Sequence, residues 1–225
     1  MAGPSLTTKG ATAAGFVRAT ALAGVLGCVV ALAAGAALAF THRLSSEEVR
    51  EAYFLGQNAD DRKKFFDDYI HLLKVHETGM DVHLIEFRTP YELVALRSQE
   101  HWAKNYDALD AQQNYAKHPD QVVIRVLICD TPMFPFPQPP FLAPGKPAPV
   151  GPDYFFSKFK FRVSQAAPIE PESRRVTAPW ACFNSGVEAL LYFKADQFGP
   201  GDVKIEVTEP YGNTYETTFD LDQLK

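Results

Sequence analysis

From residue 44 onward the hydrophobic positions recur first at helical spacing and then at every second residue. In Leu44-Ser45-Ser46-Glu47-Glu48-Val49, Ser45 and Glu48 stand at capping-box spacing, and Leu44 and Val49 at that of a hydrophobic staple. A helix is predicted to start there, with Val49, Ala52 and Tyr53 on one face and Gly56 ending it in the left-handed conformation. Asn58 to Asp61 opens a second predicted helix reaching to about Lys74, its stripe formed by Phe65, Tyr69, Leu72 and Leu73 and widened by Phe66 and Ile70. Helices this short need something downstream to pack on.

The period then changes to two. Val82 to Arg88 and Tyr91 to Ser98 read as strands joined at Thr89-Pro90. Asn105 to Lys117 reads as a helix that stops before Pro119, with Ala108, Leu109, Ala111, Tyr115 and Ala116 on one side. Val122 to Cys129 is apolar at nearly every position, the pattern of a central strand buried on both faces. Further strands are predicted at Tyr154 to Val163, Val187 to Lys194, Val203 to Thr208 and Thr214 to Leu221, the last two joined by a turn at Pro210-Tyr211-Gly212-Asn213.

The predicted class is therefore α+β and mainly β: a β-sandwich-like domain over residues 79–225 with about seven strands and one inserted helix, following a helical hairpin at 44–78. The strand count resembles immunoglobulin-like topologies, and a small closed barrel would use the same pattern. Residues 131–152 interrupt the strands with nine prolines in 22 residues, which removes backbone donors and predicts an extended strap or loop. A second polar, Pro-containing stretch runs from Gln165 to Pro179.

Residues 1–43 stand apart as a signal peptide or single transmembrane anchor. Ala19 to Phe40 is uncharged and long enough to cross a bilayer as a helix, though nine of its 22 residues are Ala. Lys9 and Arg18 precede it, so the N-terminus is expected to stay inside and the remainder to be exported. Three outcomes are open: cleavage after Ala37-Leu38-Ala39, lipidation at Cys28 in Val25-Leu26-Gly27-Cys28, or retention as an anchor. Against lipidation, Val29 to Phe40 stays apolar where a lipidated cysteine is normally followed by polar chain.

The whole chain has formal charge -5 and pI near 5.7, which argues against a nucleic-acid partner. Two cysteines remain beyond the leader, Cys129 and Cys182, and in an oxidising compartment they suggest one disulfide. Candidate partner-binding residues are Phe134, Phe136 and Phe141 of the strap, Trp180, and the basic row Lys158, Lys160 and Arg162. The strap also carries P-x-x-P spacings at Pro132 to Pro135, Pro137 to Pro140 and Pro144 to Pro147 that suit an aromatic groove, although any proline-dense segment contains them.

Catalytic signatures with local spacing are missing: no G-x-S-x-G, H-E-x-x-H, phosphate loop or dinucleotide fingerprint occurs. His71, His76, Glu77, Asp81 and His83 have the chemistry of a metal set, but residues five apart on a helix do not share a face, so no metal or cofactor is expected. Asp220 and Asp222 lack the glycine turn and third carboxylate of a cation loop. The expectation is an exported or membrane-anchored envelope protein, a non-catalytic module for a protein or cell-surface polymer. The alternative is an exported hydrolase with a dispersed site, His101 or His83 working beside carboxylates such as Asp107 or Asp110.

Overall fold

A computed structural model describes residues 40–74, 80–101, 104–130, 157–177, 182, 186–210 and 212–225. The apolar leader up to Ala39, strap residues Phe134, Phe136 and Phe141, and Trp180 lie outside the described residues. Among the described residues no helix is long and apolar enough to cross a membrane.

Helix α1, Ser46–Gln57, begins at the capping box: Glu48 N–H donates to Ser45 Oγ at 3.2 Å and Ser45 N–H to Glu48 Oε2 at 2.7 Å. Gly56 does not end it. It lies inside the helix, where a Cβ would stand 2.1 Å from the Ala95 carbonyl oxygen, so its missing side chain serves close helix approach rather than a left-handed turn. The chain leaves α1 at Asn58, extended, whose side chain caps α2, Ala59–Asp67.

Helix α2 is shorter than its apolar stripe implies. After the turn at Asp68 and Tyr69 the chain forms a short strand, β1 (Ile70–Leu72), against Glu86 to Leu84 of β2 (Met80–Arg88). Pairing to an existing strand overrides the weak local preference of three residues, and Leu72 is left 78% exposed.

The predicted strand Tyr91 to Ser98 is a helix, α3, Pro90–His101. Pro90 occupies the first helical position, where its missing N–H is no loss. Thr89 caps the end, its hydroxyl accepting from Glu92 N–H at 3.2 Å and its carbonyl from Leu93 N–H at 3.0 Å. Tyr91, Val94, Ala95 and Ser98 are buried at i, i+3, i+4 and i+7, a helical stripe. Helix α4, Ala108–Lys117, starts at a second capping box, Asp107 with Asp110. Two helices are thus inserted where one is predicted, and Leu44, Val49, Ala52, Tyr91, Val94, Ala95 and Ala111 make a separate small core between α1, α3 and α4.

The remaining strands are β3 (Gln121–Asp130), β4 (Lys160–Ser164), β5 (Pro168–Ile169), β6 (Ser173–Thr177), β7 (Gly186–Lys194), β8 (Asp202–Thr208) and β9 (Thr214–Asp220). They form two antiparallel sheets in the orders β1-β2-β3-β7-β6 and β5-β4-β8-β9. Strand β3 lies at the centre of the first, buried on both faces, as its unbroken apolar run predicts. With Tyr91 to Ser98 helical, six of the expected seven strands remain, and the short β1 together with β5 and β6, which lie in the polar stretch 165–179, brings the described strands to nine. Three consecutive strands side by side in one sheet depart from the immunoglobulin order, in which the third strand belongs to the opposite sheet.

One core joins the inner faces of both sheets, with Ile85, Phe87, Ile124, Val126 and Leu191 from the first and Val163, Val203, Ile205, Val207 and Phe219 from the second. Phe40 enters the same core, its N–H donating to Leu221 O at 3.3 Å, and His42 Nε2 lies 2.7 Å from Phe198 O.

Candidate functional site

The densest polar chemistry lies on the face of the first sheet turned away from that core. Alternation along β2, β3, β7 and β6 puts Glu86, Arg125, Glu188 and Thr177 on this face, and strand register makes them neighbours. Arg125 Nη1 donates to Glu86 Oε2 at 3.0 Å and Arg88 Nη2 donates to the same oxygen at 2.7 Å. Arg125 Nε donates to Glu188 Oε1, and Thr177 Oγ1 to Glu188 Oε2 at 2.8 Å. Burial alone would raise the Glu188 carboxyl; the hydrogen bonds from Arg125 and Thr177 outweigh it and hold the group below the usual carboxylate range. Burial likewise works to discharge Arg125, but its bonds to Glu188 and the charge of Glu86 leave it more firmly protonated than usual.

Glu92, in the first turn of α3, borders this row. It is 0% exposed, and neither carboxyl oxygen accepts a hydrogen bond, the group it meets being the Glu86 carboxyl; the Arg88 Nε–H is also without an acceptor. Loss of water raises its pKa well above the ordinary value, the charge of Glu86 raises it further, and Arg88 offsets only part.

Next to Glu92 is the seat of Lys225. Thr89 Oγ1 donates to Lys225 O at 2.6 Å, Tyr69 Oη donates to the same oxygen at 3.0 Å, and Lys225 N–H donates to Tyr69 Oη at 2.9 Å. Lys225 Nζ reaches Glu51 Oε2 at 2.6 Å and lies 4.6 Å from the centre of the Tyr91 ring. Burial pushes the Tyr69 and Tyr91 phenols up.

A second polar cluster lies within the two-sheet core. Tyr215 Oη is 2.6 Å from Asp81 Oδ1 and 2.6 Å from Glu209 Oε1, and Asn213 Nδ2 donates to Glu209 Oε2 at 2.9 Å. Burial first, then both carboxylates, raise the Tyr215 phenol, so it remains a neutral hydroxyl. Further along β9, His71 Nδ1 contacts Thr217 Oγ1 while its ring stacks on Phe219 at 4.2 Å. Burial lowers the His71 pKa.

The residues singled out from the sequence are placed variously. Cys129 and Cys182 form a disulfide with Cα atoms 5.3 Å apart. Gly186 is required beside it, since a Cβ there would lie 2.4 Å from both Cys182 Sγ and Ile128 O. Lys160 and Arg162 are exposed on β4, but β8 lies alongside: Arg162 is 3.7 Å from Glu206, and Lys204 bridges Glu206 at 3.3 Å and Glu216 at 2.7 Å. This face is mixed in sign rather than a basic stripe. Lys158 is exposed in the turn before β4.

His71 and Asp81 belong to separate bonding sets, and His83 sits at the β2 bulge with a buried, unpartnered Nε2. Among the described residues no three such side chains converge on a metal position, and His76 and Glu77 lie outside them. Asp220 Oδ1 accepts from Asp222 N–H, closing a turn. His101 Nδ1 bonds Arg97 O at 3.0 Å, while Asp107 and Asp110 cap α4. A cleft between α3 and α4, lined by Leu93, Arg97, Tyr106, Asn114 and His118, is small.

Glu86, Glu92, Arg125 and Glu188 are absent from the sequence reading. Arg125 and Glu188 carry a legible signal, each a single charge within the apolar interior of its strand, whereas Glu86 shares β2 with Asp81 and Arg88; the signs alternate from β2 to β3 to β7. Glu92 has none, because its segment reads as a strand. No protein-family pattern, curated protein or solved structure matches this chain.

Proposed function

We propose that the chain is an exported or membrane-anchored envelope protein, directed there by the apolar stretch that ends before Phe40, whose β-sandwich domain is a non-catalytic binding module for a protein or a cell-surface polymer. The observation that carries export is the Cys129–Cys182 disulfide, a bond that persists where thiols are not kept reduced. The uncharged stretch behind Lys9 and Arg18 supports the same direction of transfer. The common core between the two sheets supports the sandwich reading.

The binding role is supported by where the charged groups are directed. Arg125, Arg88, Glu86 and Glu188 bond one another, and Asp107 and Asp110 cap a helix, so these groups act within the fold. An enzyme of the dispersed type needs a base aimed at an open reacting position.

A reporter enzyme active only outside the cytoplasm, fused after Lys225, tests the localisation and is expected to be active. Activity confined to an interior reporter at the same position would end the export reading. Mass analysis after thiol alkylation should show Cys129 and Cys182 unmodified until reductant is added. Retention of the purified protein on immobilised envelope polymer, or its crosslinking to one protein in intact cells, checks the binding role; neither occurring would remove it.

A further inference from the structure

We propose that Glu92 is a proton-binding site, an acid held protonated in the folded protein whose ionisation releases the start of α3 and the seat of Lys225. The row holds Glu86 and Glu188 against Arg88 and Arg125, two charges of each sign joined by direct bonds. An ionised Glu92 would be a third anion in the same buried place. The nearest remaining cation, Lys225 Nζ, is bound to Glu51. Tyr69 and Tyr91, the other titratable groups facing it, are neutral phenols. Arg88 on β2 and Arg125 on β3 offset only part of the cost of burying that charge beside Glu86, so the proton stays.

Packing gives no reason for an acid at this position. An apolar side chain of similar size would fill the same space; the protonated carboxyl differs in that its proton bonds the Glu86 carboxylate, while neither of its oxygens accepts a hydrogen bond. What distinguishes Glu92 from such a residue is that it gains and loses a proton. When the proton leaves to a buffer base, the new carboxylate repels Glu86 and must recover water. It adjoins Thr89, whose hydroxyl both caps α3 and holds Lys225 O. Lys225 in turn ties α3 to α1 through Glu51 and to the turn that leads into β1 through Tyr69. Opening one turn of helix therefore reaches three elements, a two-state contact biased by pH. The inference does not rest on export or on the binding role.

The test uses the full chain. Infrared titration from neutral to alkaline pH should show a buried protonated carboxyl band in the native protein that vanishes as pH rises and is absent in Glu92→Gln. Over the same range, protection factors of the Glu92 and Leu93 amides against hydrogen exchange should fall at least about ten-fold in the native chain and stay level in the variant. Equal pH profiles in the two proteins would overturn the proposal. Should the variant fail to fold, the native spectrum decides alone: no protonated carboxyl band at neutral pH removes the site.

Discussion

The absence of one methyl group at position 56 sets how closely α1 and α3 approach. Alanine is ordinarily the better helix residue by about 1 kcal/mol, yet here its Cβ would stand 2.1 Å from the Ala95 carbonyl and 2.9 Å from Ser98 Cβ. Two backbones would have to separate, and overpacking of this kind costs about 1–3 kcal/mol. Gly56→Ala is therefore expected to lower the denaturant midpoint, and an unchanged midpoint would contradict the contact. At Glu92 the sign of the pH effect follows from its raised pKa. The folded state keeps a proton that the unfolded chain releases above its ordinary pKa of 4.5, so the stability from this group is complete below that pH and declines as pH rises toward the folded value. The thermal midpoint of Glu92→Gln should fall less steeply with pH across that window than that of the native protein, as read by melting curves at a series of pH values. Gly56 was visible in the sequence only as a helix terminator, because a close approach depends on a partner 39 positions away, which spacing does not reveal. Arg125 and Glu188 were more legible: a lone charge within a buried strand requires a counter-charge.

Among the elements, α3 is the one whose pattern misled. Tyr91, Val94, Ala95 and Ser98 fit a helical stripe, but Tyr91, Leu93 and Ala95 also alternate, and Thr89-Pro90 resembles a strand connection as readily as a helix start. The structure resolves the ambiguity through Thr89, which is both cap and anchor for Lys225 O. Thr89→Ala removes both bonds and leaves Lys225 O with only Tyr69 Oη, so a loss of about 1–2 kcal/mol is expected in equilibrium unfolding. Thr89→Ser, which retains the hydroxyl, should recover most of it. The disulfide acts at the same scale, fixing Cys182 to the end of β3 beside Gly186. With a sequence separation of 53 it should stabilise by about 4 kcal/mol in the chain-entropy account. Reductant and Cys182→Ser should lower the midpoint by matching amounts. A loss from the substitution that reductant does not reproduce would place the effect in packing rather than in the crosslink.

At the scale of the molecule, the sequence supplied inward-facing positions but not which strand adjoins which. Alternation in β7, β8 and β9 identifies Val187, Ala189, Val203, Ile205 and Phe219 as inward, and all are buried. That β7 pairs with β3 across the proline tract, Gly186 opposite Cys129 at the nearest and Lys194 opposite Gln121 at the farthest, is a non-local choice that periodicity does not encode. Closure of the chain is non-local in the same way. The five residues from Phe40 to Leu44 follow directly on the apolar leader, yet they belong to the folded domain. Phe40 is buried in the two-sheet core with its N–H on Leu221 O, and Leu44 N–H donates to Tyr115 Oη at 2.7 Å. His42 joins the segment to Phe198 O. A domain beginning at Phe40 should consequently unfold at a higher temperature than one beginning at Ser45. Burying the Phe40 and Leu44 side chains contributes about 3 kcal/mol or more, which corresponds to roughly 10 °C in a chain of this size. Calorimetry of the two chains measures the difference, and coincident midpoints would mean that the segment only connects the leader to the domain.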